Sequence, residues 1–193
     1  MQIQYFKDLS LSPEVMKGIE ELGFNNLFPI QAQAIAPLLE GKDVIGQAQT
    51  GTGKTAAFGI PMIERLNPKI NVVQGLILEP TRELAVQVAE HISRLSKYAA
   101  LRVVPIYGGE PIQRQICALE GVHIVVGTPG RIIDHMERGT LNLGMIRIVV
   151  LDEADRMLDM GFIDDIEYIL AKVPSSRQTS LFSATIDQQV MNV

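Results

Sequence analysis

Apolar positions follow two rhythms along this chain. Six short runs are nearly continuous in apolar, often β-branched residues: Asp43 to Ala48, Gly75 to Glu79, Val103 to Tyr107, His123 to Gly127, Ile146 to Leu151 and Thr179 to Phe182. Continuous rather than alternating runs of this length predict strands buried on both faces of a parallel sheet. Between them the spacing turns helical. From Thr81 to Tyr98, Leu84, Val88, Ile92 and Leu95 recur at threes and fours, with charged side chains on the other side. Ser12-Pro13 predicts a helix start, as cap and first-turn proline, with Gly23 just past its end. Ile30 to Leu39 predicts a second helix closed by Gly41, and Ala56 to Leu66 a third. Strands alternating with helices predict a doubly wound α/β fold, a mostly parallel sheet with helices on both faces. Such sheets bind ligands at the carboxyl ends of their strands, and the sharpest motifs here fall just after predicted strands. No linker or repeat interrupts the pattern, so 1–193 reads as a single domain.

Composition narrows the possibilities. At 47% hydrophobic over 193 residues, the chain is globular rather than disordered. No apolar run approaches the roughly 18 residues of a membrane span. The opening MQIQYFKDLS lacks the basic and apolar segments of a secretory signal. A single cysteine, Cys117, forms no internal disulfide and fits a reducing compartment, so a cytoplasmic location is expected. Net charge is −5, which argues against holding nucleic acid by bulk charge; a local patch and backbone amides would have to do it.

The strongest motif is Ala48-Gln49-Thr50-Gly51-Thr52-Gly53-Lys54-Thr55, set between a predicted strand and a predicted helix. Gly51 and Gly53 let the backbone turn tightly and aim successive N–H groups at phosphate oxygens. The helix start adds free N–H groups and a positive dipole end. Lys54 would reach the β- and γ-phosphates of a nucleotide, and the Thr55 hydroxyl would sit on Mg²⁺. The strict phosphate-loop pattern begins with glycine where this chain has Ala48. About 100 residues later, Ile148 to Leu151 runs straight into Asp152-Glu153-Ala154-Asp155. Asp152 fits the second Mg²⁺ group of a phosphate-loop NTPase, acting directly or through a water. Glu153 is placed to orient and deprotonate the attacking water.

Taken together, these strings resemble the DEAD-box family of ATP-dependent RNA helicases, and the resemblance covers almost the whole chain. Pro80-Thr81-Arg82-Glu83-Leu84-Ala85, Gly108-Gly109, Thr128-Pro129-Gly130-Arg131 and Ser183-Ala184-Thr185 follow in family order. In that family the loop usually begins with alanine. The resemblance implies an N-terminal RecA-like phosphate-loop domain using ATP and Mg²⁺, with residues 1–41 as its adenine-recognition element. Gln31, with a donor and an acceptor on one amide, would read the adenine edge. Phe24 belongs to the same element. Phe6, seventeen residues before Gly23, would stack on the base or buttress it. Leu27 and Phe28 stand where the family usually has Pro-Thr.

By the same resemblance, Pro80 to Arg82, Gly108-Gly109 and Thr128 to Arg131 would grip the sugar-phosphate backbone of single-stranded RNA without reading bases. Each offers an arginine, a hydroxyl, a close-approach glycine or a helix start. Aromatics at 5% and no tryptophan leave little for base-stacking platforms. Ser183 and Thr185 would hydrogen-bond the acidic loop at Asp155 and couple the two sites. A second RecA-like lobe would supply arginine fingers and the rest of the RNA surface. The 193 residues alone are therefore expected to bind nucleotide, hydrolyse it very slowly and leave duplexes intact. A phosphate-loop ATPase acting on DNA, or a scaffold with a vestigial site, are the alternatives. His91, His123 and His135 show no metal-ligand spacing with Cys117 and read as structural or surface residues.

Overall fold

The computed structural model describes residues 4–191. Residues 1–3 and 192–193 of the expected single domain lie outside the described residues. Six strands form one sheet: β1 (Val44–Gln47), β2 (Gly75–Leu78), β3 (Val103–Ile106), β4 (Ile124–Gly127), β5 (Ile148–Leu151) and β6 (Gln178–Ser183). Their order across the sheet is β1-β6-β5-β2-β4-β3, and every pairing is parallel. All six lie where the apolar runs predict. β2, β4 and β5 are buried throughout, as continuous apolar runs require. β1 differs: as an edge strand it leaves Ile45 half exposed.

Helices α1 (Pro13–Glu21), α2 (Pro29–Leu39), α3 (Lys54–Arg65) and α4 (Arg82–Leu95) belong to one face. Their apolar sides, with Ile35, Phe58 and Ile92, pack on Ile77, Val126 and Val150 of the strands. On the other face lie α5 (Ile112–Ala118), α6 (Pro129–Glu137), α7 (Ala154–Asp159) and α8 (Ile163–Leu170). There Ile132, Met157 and Ile169 meet Leu76, Leu78, Val125 and Val149. Alternate residues of β2 to β6 thus feed two separate cores. A short α9 (Gln188–Met191) follows β6.

Three local outcomes depart from the sequence expectation. Ser12 precedes α1 but does not cap it; its N–H and hydroxyl both donate to the Glu64 carboxylate, at 3.0 and 2.8 Å. A charged acceptor on α3 wins over the helix's own N–H groups. α5 carries Gln113, Arg114 and Gln115 in seven residues, too polar and short for an apolar rhythm to show. α7 occupies the segment read for its carboxylates, with Glu153 just before its first turn. Among the described residues, no helix is long and apolar enough to cross a membrane.

Candidate functional site

The strand order divides the carboxyl edge of the sheet into two neighbouring regions. β1, β6 and β5 lie side by side, so the phosphate loop, Ser183 to Thr185 and the acidic strand end converge although distant in sequence. β2, β4 and β3 form the other half and carry the three basic and glycine-rich motifs.

The phosphate loop turns on Gly51 and Gly53, with φ of +83° and +89°. At Gly53 a side chain is excluded twice over. An added Cβ would lie 2.4 Å from Nε2 of Gln31 and 2.9 Å from the Phe28 ring, on a backbone already left-handed. The Thr52 hydroxyl closes the turn by donating to the Gln49 carbonyl at 2.6 Å. Lys54 then opens α3, its side chain buried. Its ammonium donates to Glu153 Oε1 at 2.5 Å and lies 3.4 Å from Asp152 Oδ1. The Thr50 hydroxyl donates to the same Glu153 oxygen at 3.0 Å. The Glu153 backbone has φ +50°, a conformation that costs a non-glycine residue about 1 kcal/mol or more. It persists because Asp152 Oδ1 accepts the Glu153 N–H at 2.9 Å and Lys54 holds the side chain.

Electrostatics here are those of charges taken out of water. Burial raises the Asp152 carboxyl to about 6, against the pull of Lys54 and with help from neighbouring Glu153. Burial would lower the Lys54 ammonium, but Asp152 and Glu153 together hold it above its ordinary value. One further carboxyl joins them. Glu79 follows β2, adjacent in register to Asp152, because Leu78 pairs with Leu151. It is fully buried, and neither carboxyl oxygen has a hydrogen-bond partner among the described residues. Burial, then Asp152 and Glu153, push it well above the usual carboxylate range. A neutral, protonated Glu79 is the form such surroundings favour.

A cleft of about 270 Å³ opens over Lys54, Thr55, Asp152 and Glu153. Among the described residues no three metal-ligating side chains converge. Asp152 and Thr55 are nevertheless enough for Mg²⁺, which is commonly held by one or two protein groups plus phosphate oxygens and water. The positive-φ glycines, the α3 amino terminus and a buried lysine held by carboxylates fit an Mg-nucleotide.

The segment expected to read adenine takes an arrangement that the motif alone does not reveal. Gln31 is buried, and both ends of its amide are engaged: Oε1 accepts the Phe28 N–H at 2.9 Å and Nε2 donates to the Gly53 carbonyl at 3.0 Å. It therefore ties the start of α2 to the phosphate loop. Phe6 lies in the core, 2% exposed, stacked on Phe24 with ring centroids 6.0 Å apart. Phe24 in turn meets His91 edge-on. Of that row only His91 reaches the cleft wall. Phe28, 55% exposed, is the aromatic that stands at the mouth.

On the other half of the edge, Thr81 caps α4, accepting from the Leu84 N–H at 3.4 Å. Arg82 lies over the Tyr107 ring, 4.8 Å from its centroid, and 3.4 Å from the Glu110 carboxylate. Gly108, Gly109 and Gly130 are exposed, whereas Pro80 and Pro129 are buried. Thr128 precedes α6 in an extended conformation without a side-chain cap bond. Arg131 is mostly turned inward. It donates to the Glu110 carbonyl at 3.1 and 3.2 Å and to Gln115 Oε1 at 3.1 Å. Gln115 also donates to the Tyr107 carbonyl and accepts from His135 Nε2. Arg131 thus shapes the Gly108–Glu110 loop.

Where β5 and β6 end side by side, Asp155 Oδ2 accepts the N–H and the hydroxyl of Thr185, both at 2.9 Å, and the Asp155 N–H donates to Ser183 Oγ at 3.2 Å. Burial alone would raise the Asp155 carboxyl, but these bonds, led by Thr185, hold it below its usual value. Several partners carry no signal in the sequence: Glu79, Glu110, Gln115 and the Gln31–Gly53 bond.

Residues 28–193 match the sequence model of a family described as DEAD/DEAH box helicase. Over 189 residues the chain is 58% identical to the DEAD-box ATP-dependent RNA helicase CshA of Geobacillus kaustophilus strain HTA426, covering 97% of this chain and 40% of that protein. The protein of the same name from Bacillus subtilis strain 168 is 53% identical over 189 residues, covering 97% and 38%. A crystal structure of a DEAD box protein from the hyperthermophile Methanococcus jannaschii superimposes with a TM-score of 0.94 at 45% identity, covering 100% of this chain and 53% of that one. The chain spans about two fifths of the length of the curated relatives it matches. With the family model covering most of its length, relatives more than half identical and the same parallel sheet, the chain belongs to the DEAD/DEAH box helicase family.

Proposed function

We propose that this chain is the N-terminal RecA-like, ATP-binding domain of a cytoplasmic, ATP-dependent RNA helicase. The single domain takes in 1–193, with 1–41 as the adenine-recognition element. The observation that carries the reading is the buried Lys54 ammonium, shared by Glu153 and Asp152 at the foot of a positive-φ glycine loop.

That ion pair occupies the place of a phosphate interaction. When nucleotide enters, Lys54 exchanges the Glu153 carboxylate for β- and γ-phosphoryl oxygens, aided by the N–H groups of Gly51 to Thr55. Glu153, released, orients the attacking water and accepts its proton. Asp152 and the Thr55 hydroxyl would hold Mg²⁺, which would supply charge neutralisation at the phosphoryl oxygens. Gln31 senses the loop through Gly53 and offers its remaining donor and acceptor to adenine. Arg82, Thr81, Thr128, Gly108, Gly109 and the α6 start, opened by Pro129 and Gly130, bind the backbone of single-stranded RNA. Pro80 and Arg131 fix the shape of that rim. Asp155, Ser183 and Thr185 transmit occupancy between the two. A second RecA-like domain of the same protein completes both surfaces, and their closure strains one strand of a short duplex.

The test compares ATP hydrolysis by the full-length protein with and without single-stranded RNA, and with DNA of the same sequence. The reading predicts stimulation by RNA alone. It also predicts that the 193-residue chain is slower by about 10³–10⁵ for want of arginine fingers. Equal stimulation by DNA would contradict the choice of RNA, and full activity in the 193-residue chain would contradict the need for a second domain.

A further inference from the structure

Three arginines meet at the opposite edge of the sheet from the phosphate loop. Arg65 ends α3, Arg147 precedes β5 and Arg177 precedes β6, and all three line one cleft of about 410 Å³. Its floor lies at the amino ends of β5 and β6, at least about 10 Å along β5 from Asp152.

Two of the guanidinium groups are held in place. Arg65 donates from Nη1 to the Leu38 carbonyl at 3.1 Å and to Gln178 Oε1 at 2.5 Å. Gln178 is fixed in turn by the carbonyls of Leu38 and Lys42, at 3.0 and 2.6 Å. Gly41, at φ +83°, passes so close that an added Cβ would lie 3.0 Å from Arg65 Nη2. Arg177 donates from Nε to the Thr179 hydroxyl at 3.2 Å and from Nη1 to the Pro174 carbonyl at 3.4 Å. These bonds leave an Nη2 on each group unspent. Arg147 is exposed, with its backbone pinned by Gln74 and Gln178. Its guanidinium has no partner among the described residues.

No carboxylate pairs with any of the three among the described residues. Arg82, Arg131 and Arg138 each have one. A chain of net charge −5 has carboxylates to spare, yet gathers three cations around one cleft without one. Their mutual repulsion is offset when an anion enters. Guanidinium forks match phosphate oxygens in pairs, and two of these forks are already oriented, which lowers the ordering cost of binding. The cleft is far larger than one phosphate ion, so it suits a ligand with two or more phosphoryl groups.

We propose that this cleft is a second anion site, separate from the nucleotide cleft, that binds oligophosphate. The phosphoryl groups come either from a free oligophosphate or from consecutive phosphodiesters of an RNA strand.

Amide NMR of the 193-residue chain, titrated with inorganic diphosphate and separately with oligouridylate, tests this residue by residue. The phosphate loop reports independently through Gly51 and Gly53. Saturable shifts are expected at Gly41, Gly144, Arg147 and Ser176 with at least one probe. Arg147→Ala should weaken them about tenfold, the loss of one charge-assisted contact, and leave the Gly51 and Gly53 response unchanged. Arg147→Lys, which keeps the charge but not the fork, should recover part of the affinity. Tighter binding of oligouridylate at these amides identifies RNA as the source; binding of diphosphate alone identifies a free oligophosphate. Silence there with both probes, or shifts that Arg147→Ala leaves unaltered, would overturn the proposal.

Discussion

The two halves of the carboxyl edge handle charge in opposite ways. Around β1, β6 and β5 the charged groups are buried and hold one another: Lys54, Asp152, Glu153 and, beside them, Glu79. Around β2, β4 and β3 the arginines pair with the partly solvated carboxylates of Glu110 and Asp134 and also rest on neutral groups. Arg82 rests on Tyr107, and Arg131 on the Glu110 carbonyl and Gln115. The buried half is internally compensated, so a ligand there has to replace an existing ion pair. The solvated half offers charge directly, at low energy per contact. A switch needs the first property and a reusable grip on a polyanion needs the second. Asp155, bonded to Ser183 and Thr185, ties the ends of β5 and β6 together within the buried half.

This contrast can be broken in order of effect. Glu153→Gln in the full-length protein should lower ATP hydrolysis by about 10²–10⁴ while leaving nucleotide binding intact or tighter, because the group competing for Lys54 has lost its charge. Steady-state rates with a binding titration check both parts. Lys54→Ala should weaken Mg-ADP binding and also destabilise the nucleotide-free chain by about 3–5 kcal/mol, since it leaves buried carboxylates uncompensated. Urea unfolding measures the second effect.

Acidity gives a subtler test. The folded Asp152 carboxyl titrates near 6, above its ordinary 3.8, so its protonated form favours the folded state. That contribution is complete below about pH 4 and is lost as pH rises through 6. Wild type should therefore lose stability relative to Asp152→Asn between pH 4 and pH 7, read from paired unfolding curves. On the solvated half the effects are smallest. Arg82→Ala should weaken single-stranded RNA binding by the full-length protein only a few-fold, and reduce the salt slope by about 0.7, as for one lost phosphate contact. Arg131→Ala should cost more than Arg82→Ala with a smaller change in slope, because it collapses a loop rather than deleting an exposed charge.

Legibility in the sequence followed the same divide. The strands showed because burial on both faces forces continuous apolar runs, and the edge strands β1 and β3 are less buried than those runs imply. Ala48 to Thr55 and Asp152 to Asp155 were readable because each is a contiguous string whose turn and charge pattern is local to the chain. Relationships between distant segments were legible only where the family resemblance supplied them, as for Ser183 and Thr185 with Asp155. Nothing near Gln31 announces that its amide closes on Gly53, and nothing near Arg131 announces that the Glu110 carbonyl turns it inward. Phe6 sits at the spacing of a base-stacking residue, yet the core claims it, and exposed Phe28 takes the mouth of the cleft. Arg65, Arg147 and Arg177 come from three separate elements, so no run of basic residues marks their meeting.

The central claim is that Lys54 trades a carboxylate for phosphate. A crystal structure of the chain with Mg-ADP tests it most directly. The account predicts density against the Gly51–Thr55 backbone, with the Lys54 ammonium on the β-phosphate and its bond to Glu153 broken. Nucleotide bound elsewhere, or bound at the loop with the Lys54–Glu153 pair intact, would contradict it.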